Sequence, residues 1–281
     1  MESGDPLVTA EWLKEHISAP DVRVVDATWF PPFLNPEKTG RQAWAEGHIP
    51  GAVYFDIDAI KAGGTDLPHM LPDPVMFSSR ARKLGLGDGN RIIVYDQFNF
   101  FASARVWWML RVMGQRDVKV LDGGLKAWTD AGGETEDLPP VAVERHFTAR
   151  VRSDLLKDSD QMLAASANGS HNIIDSRSAE RFSGEAPEPR EGLPSGHIPG
   201  SICLPSGELR TEDGRMKSAD ELGKLFPNPL APTIATCGSG VSAAVTALAL
   251  ARLGNWDVAV YDGSWAEWAS DASRPVATGT A

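Results

Sequence analysis

The stretch of this 281-residue chain best suited to covalent chemistry is Cys237-Gly238-Ser239-Gly240-Val241-Ser242. The short apolar run before it, residues 232–236, reads as a buried strand. Residues 243–253 (AAVTALALARL) read as a helix with Gly254 as its stop signal. A cysteine between the two lies on a tight loop at the positive end of a helix, where backbone N–H groups can converge on its sulfur. That setting favours the thiolate, which is the nucleophilic form. A cysteine that merely fills space needs no backbone folded around it, so the glycines on both sides of Ser239 favour Cys237 as a nucleophile over a packing residue. The chemistry expected is attack by sulfur and a covalent intermediate held on it.

The elements that must position this loop are written twice. Gly47-His48-Ile49-Pro50-Gly51 recurs as Gly196-His197-Ile198-Pro199-Gly200, and Val24-Val25-Asp26-Ala27 is matched by Ile173-Ile174-Asp175-Ser176. Downstream, Asp122-Gly123-Gly124 with Trp128 is matched by Asp262-Gly263-Ser264 with Trp268. The order is kept and only loop lengths change, which is the signature of a duplicated domain. Each copy alternates apolar strands (22–26, 91–95, 118–121; then 172–175, 233–236, 258–261) with helical segments (41–45, 74–84, 101–113, 124–131; then 219–226, 243–253, 264–269). This predicts an α/β fold of two tandem domains, each a mostly parallel sheet flanked by helices. Chemistry in such sheets collects at the carboxyl ends of strands, where Cys237 stands. Leu138-Pro139-Pro140 opens a charged, turn-rich stretch. The expected division is residues 1–140, a linker at 141–152, and residues 153–281, with Ser153 and Ser159 as candidate N-caps.

The first copy is an internal control. Asp96 ends its strand where Cys237 ends the corresponding one, and a carboxylate offers no thiolate. The first domain is therefore expected to be a wall of the cleft and not a second catalyst. The GHIPG histidines, His48 and His197, occur in both copies and so read as turn-locking residues. The DGG and DGS motifs read as tight strand-to-helix turns. Cys203 reads as a buried, inert thiol. Most of the nine tryptophans read as core, with Trp29 able to reach the cleft.

Composition narrows the class. The net charge of −11 disfavours nucleic acid and anionic membrane surfaces as partners. Two cysteines make no disulfide framework, and no Cys/His spacing suggests a metal site. The acidic start of the chain lacks the basic and apolar regions of a targeting peptide, and no apolar run approaches a membrane span of ~20 residues. These features predict a cytoplasmic protein.

Paired GHIPG motifs, a DGG/DGS-x-x-x-W motif closing each half, and one cysteine on a strand–loop–helix resemble the tandem-rhodanese sulfurtransferases. The CGSGV loop is similar to that of the 3-mercaptopyruvate sulfurtransferases, and the likeness covers nearly the whole chain. The family usually has Thr where this chain has Ser242, and the retained hydroxyl is expected to preserve a loop-stabilising hydrogen bond. The resemblance implies transfer of sulfur from 3-mercaptopyruvate through a persulfide on Cys237 to a thiol such as thioredoxin, or to cyanide, with release of pyruvate. It implies no metal or organic cofactor. It also implies that Arg181 and Arg190 bind the substrate carboxylate, as a planar guanidinium fork suits. Gly238, Gly240, Val241 and Ser242 complete the binding set. Asp58, His69 and Ser239 form the implied proton relay, with Asp56 as an alternative to Asp58. Arg177 and Glu180 are expected to be structural.

Relatives that prefer thiosulfate resemble one another in having cationic side chains just after the cysteine, where this chain has Gly238 and Ser239. Thiosulfate:cyanide sulfurtransferase activity remains the nearest alternative, and a non-catalytic sulfur-carrier or binding module a further one. A cysteine phosphatase or arsenate reductase would need an Arg closing a longer loop, and none occurs before Arg252.

Overall fold

A computed structural model describes residues 4–98 and 100–280. The first half runs β1 (Leu7–Val8), α1 (Ala10–His16), β2 (Val22–Asp26), α2 (Gly40–Glu46), β3 (Val53–Tyr54), α3 (Pro74–Lys83), β4 (Arg91–Tyr95), α4 (Phe101–Val112), β5 (Val118–Leu121) and α5 (Gly124–Asp130). The second repeats that order as β6 (Leu156–Lys157), α6 (Ser159–Asn168), β7 (Asn172–Asp175), α7 (Ala179–Ser183), β8 (Ser201–Cys203), α8 (Ala219–Leu225), β9 (Thr233–Thr236), α9 (Ala243–Arg252), β10 (Ala259–Tyr261) and α10 (Ser264–Trp268). The sheets have orders β1-β5-β4-β2-β3 and β6-β10-β9-β7-β8, and every pairing is parallel. The central strands β4 and β9 are buried on both faces, as their unbroken apolar runs require.

The two halves meet along α4 and α9, and one hydrophobic core runs through both. Every α4 residue from Ala102 to Val112 is buried, including Trp107, Trp108 and the cations Arg105 and Arg111. A helix covered on all sides is a core helix, which explains its weak amphipathic signal. Among the described residues no helix is long and apolar enough to cross a membrane.

Several local expectations change. The N-cap of α6 is Asp158, whose carboxylate accepts from the Gln161 N–H while the Gln161 side chain accepts from the Asp158 N–H, so Ser159 falls one residue inside the helix. Ser153 begins a short 3-10 turn and caps nothing by its side chain. The stretch 139–152 has no helix or strand but is pinned to the first half. Phe147 packs against Phe77, and the N–H groups of Arg150 and Arg152 donate to Met113 and Val112. Cys203 is half-buried, not buried. Its thiol is pushed up to about 11, first by desolvation, so it is protonated at neutral pH. The histidines His48 and His197 each direct Nδ1 to a backbone carbonyl, of Trp44 and Phe182 respectively, and stack on those same rings.

Candidate active site

Cys237 follows β9 directly and is almost fully buried, at 2% exposure. Its loop is held from beneath by Ser264, at the start of α10. The Ser264 hydroxyl accepts from the N–H groups of Cys237 (3.1 Å) and Gly240 (3.0 Å) and donates to the Tyr261 carbonyl (2.8 Å). The Trp265 and Ala266 N–H groups donate to the carbonyls of Cys237 and Gly238. Ser264 does this with φ +50°, a left-handed conformation unusual for a residue with a Cβ. Gly124, its counterpart in the first half, lies in contact with the Asp96 carbonyl, where a Cβ would collide. The expectation for Ser242 is therefore corrected: among the described residues its hydroxyl makes no hydrogen bond, and Ser264 stabilises the loop instead.

The first half demonstrates what such a loop can hold. The Asp96 carboxylate accepts from the N–H groups of Phe98 (3.1 Å), Phe100 (3.3 Å) and Ser103 (2.8 Å) at the start of α4. The fold thus turns loop amides onto the side chain that ends the central strand. In the second half the N–H groups of Gly238, Ser239, Val241 and Ser242 have no acceptor among the described residues, so they are available to an anionic sulfur.

A cavity of about 280 Å³ opens above Cys237 between the two halves. It is smaller than the ~300–1,000 Å³ that suits drug-sized ligands, which favours a small metabolite. Cys237, Gly238, Ser239, Val241, Ser242, Arg181 and Arg190 line it from the second half, and Asp58, His69 and Trp29 from the first. Gly240 does not line it. Its N–H is taken by Ser264, and with φ +73° a Cβ there would press on the Asp262 carbonyl, so its role is to turn the chain.

The two arginines differ in their surroundings. A buried ladder runs from Asp175 through Arg177 (2.6 Å) to Glu188 (2.8 Å), and Glu188 in turn pairs with Nε and Nη2 of Arg181. Arg177 is thus structural, and Arg181 has only part of its fork left for a ligand. Among the described residues the Arg190 guanidinium has no hydrogen bond or ion pair. Desolvation lowers its pKa, Cys237 opposes that shift, and it stays charged. Both guanidinium groups lie against Gly238: a Cβ there would stand 3.1 Å from Arg181 Nη2 and 3.7 Å from Arg190 Nη1. The absent side chain at 238 makes room for cations brought from α7 (Arg181) and from the segment after it (Arg190).

Across the cavity, Asp58 Oδ1 lies 3.2 Å from His69 Nδ1, and the Trp29 indole donates to Asp58 Oδ2 at 2.8 Å. The neighbouring His69 imidazole holds the Asp58 carboxyl below its ordinary range, against the opposing effect of burial. Asp56 instead accepts from the N–H groups of Asp58 and Ala59, shaping the turn, so Asp58 is the carboxylate that faces the imidazole. His69 is 6% exposed and adopts φ +60°.

Sequence reasoning passed over Ser264, Glu188, Arg105 and Asp262. Asp262 Oδ1 is 2.6 Å from Arg105 Nη1 of the first half, and Oδ2 accepts from the Leu71 N–H at 2.6 Å. The one signal for Ser264 was the change from DGG to DGS between the repeats.

Comparison with known proteins agrees with this architecture. The rhodanese-like domain family matches residues 9–131 and again 158–271. The chain is 41% identical over 273 residues to 3-mercaptopyruvate sulfurtransferase of Escherichia coli (strain K12), covering 96% of each. It is 38% identical over 275 residues to thiosulfate sulfurtransferase of Gallus gallus, covering 94% of this chain and 93% of that one. A solved structure of SseA from Escherichia coli, described as a 3-mercaptopyruvate sulfotransferase of rhodanese fold, superposes with a TM-score of 0.85 at 39% identity, covering 93% of this chain and 99% of that one. Two matches in tandem, over two parallel sheets of the same order, make this chain a member of the rhodanese-like domain family.

Proposed function

We propose that the protein is a sulfurtransferase that takes sulfur from 3-mercaptopyruvate through a persulfide on Cys237. The observation that carries this reading is the placement of Arg181 and Arg190 over Gly238, beside a nucleophile whose own loop bears no cation. A donor that carries its negative charge on a carboxylate away from the reacting sulfur fits that arrangement. The similarity to the 3-mercaptopyruvate sulfurtransferase of Escherichia coli supports the same substrate.

In the proposed reaction the Cys237 thiolate attacks the thiol sulfur of the donor. An S–S bond forms, the C–S bond breaks, and its electron pair leaves with the carbon as the enolate of pyruvate. The proton lost by the donor thiol returns to that carbon, leaving pyruvate and a persulfide anion, so charge and atoms balance. With His69 Nδ1 turned to Asp58, Nε2 is the nitrogen available to Ser239 or substrate, and this group handles the proton. Free loop amides and the N-terminus of α9 stabilise the persulfide. A thiol such as thioredoxin, or cyanide, then removes the outer sulfur. Residues 1–140 serve as the non-catalytic wall, 141–152 as the linker and 153–281 as the catalytic domain. Two free cysteines favour action in a reducing compartment, the cytoplasm.

The likeness to the thiosulfate sulfurtransferase of Gallus gallus makes thiosulfate the donor to compare. Pyruvate and sulfite release, measured as kcat/KM for each donor, tests the proposal. Preference for 3-mercaptopyruvate supports it, and equal or better use of thiosulfate contradicts it.

A further inference from the structure

The fully buried Arg105 of α4 joins the two sides of the cavity. Its Nη2 donates to the His69 carbonyl at 2.5 Å and its Nη1 to the Gly240 carbonyl at 3.2 Å, while Nη1 also pairs with Asp262 at 2.6 Å. The guanidinium lies over Trp108, with 4.5 Å between its central carbon and the ring centroid. Asp262 closes the ring by accepting from the Leu71 N–H. The segment His69-Met70-Leu71 is thereby held at both ends, and its other backbone tie among the described residues is the Ala62 N–H to the Met70 carbonyl. The cysteine loop has anchors of its own in Ser264, Trp265 and Ala266.

The repeat again supplies a control. The α9 residue corresponding to Arg105 is Thr246, whose hydroxyl bonds to Ser176 within its own half at 2.8 Å. The other cross-domain contact of this type, the Met216 N–H to Asp122 at 2.9 Å, has no arginine at the position of Arg105; there Arg252, at the end of α9, donates to the Met216 and Lys217 carbonyls and pairs with Asp5. Arg105, unlike Thr246, reaches both the His69 and the Gly240 carbonyls. It stands on the side that has His69 and Cys237.

We infer that Arg105, paired with Asp262, is a positioning residue that sets His69 over the cysteine loop and so governs the proton-handling half of sulfur transfer. This rests on the function proposed above. Removing the guanidinium fork lets the left-handed His69 peptide relax while Cys237 stays anchored. Formation of the C–H bond of pyruvate should suffer, whereas attack of Cys237 on thiosulfate, which expels sulfite and protonates no carbon, should not.

The test uses R105K, which keeps a charge for Asp262 but cannot span both carbonyls, in the full-length protein. A displacement of about 1 Å brings a loss of about 10- to 100-fold. The expected result is that loss in kcat for 3-mercaptopyruvate, with KM and thiosulfate-driven persulfidation of Cys237 changed less than about threefold. R105K should add little further loss in an H69A background, because coupled residues are not additive. D262N, whose side-chain oxygen can still accept from Leu71, should reproduce the same split and serves if R105K is unstable. Equal loss with both donors, or full additivity with H69A, overturns the inference. An impaired H69A beside an unimpaired R105K overturns this inference alone. Undiminished turnover by H69A overturns the relay as well.

Discussion

Replacing Arg190 by alanine tests how the cavity selects its donor. The Arg190 guanidinium is half-buried, close to Gly238, and without an ion partner among the described residues. A hydrogen bond to a charged group contributes about 1.5–3 kcal/mol net, and a carboxylate can take two arms of one fork. A loss of about 3 kcal/mol is expected, which corresponds to about 150-fold in kcat/KM. R190K keeps the charge and loses the fork, so a loss of about tenfold is expected. The control is mercaptoacetone, which has the same thiol and carbonyl with a methyl in place of the carboxylate. Its kcat/KM should change less than about threefold in R190A, so the mutation erases most of the preference between the two donors. R181A should differ, because Arg181 is already paired with the buried Glu188. It should erase less of the preference and lower thermal stability more, leaving Glu188 with Arg177 as its remaining partner. Steady-state pyruvate release and thermal unfolding of the three variants decide the matter. If R190A slows mercaptopyruvate and mercaptoacetone equally, or neither, the assignment of the carboxylate to Arg190 is wrong.

Three further outcomes are expected. S264A leaves the buried N–H groups of Cys237 and Gly240 unpaired, at about 1–3 kcal/mol each. Denaturant unfolding should therefore detect a loss of about 2–6 kcal/mol, with S264G less affected by about 1 kcal/mol because glycine accepts the positive φ. Asp96 is buried and its pKa is raised by desolvation from 3.8 to about 6. Between these values the folded protein binds the proton more tightly than the unfolded chain, so stability falls as pH rises through this window and is flat above it. D96N has no such dependence, and its stability relative to the native protein should increase by about 2 kcal/mol from pH 4 to pH 6.5 in urea titrations; a pH-independent difference would contradict this. D58N removes the charge beside His69 while keeping its shape, so kcat for 3-mercaptopyruvate should fall about 10- to 100-fold with little change in KM.

Much of this arrangement is legible in the sequence because the duplication exposes it. Repeated motifs locate the central strands, and Asp96 against Cys237 separates the catalytic half from the other. The edge strands Leu7–Val8 and Leu156–Lys157 are not legible, since two residues carry no periodicity and their place beside β5 and β10 depends on distant pairing. Arg105 lies in a helix whose other residues read as core, and nothing local marks it as reaching across two domains. The resemblance places Gly240 in the binding set, whereas its positive φ makes it a turn. The loop-stabilising role expected of Ser242 falls to Ser264, because a hydroxyl's partner depends on which element folds beneath the loop.

The most direct measurement is the mass of the Cys237 peptide after the protein meets 3-mercaptopyruvate without an acceptor. A gain of about 32 Da, one sulfur atom, with about one pyruvate released per chain, is the predicted result of covalent catalysis. C237S should show neither, and cyanide should remove the added mass from the native protein. Pyruvate release by C237S, or turnover of the native protein with no added sulfur on Cys237, would contradict the account.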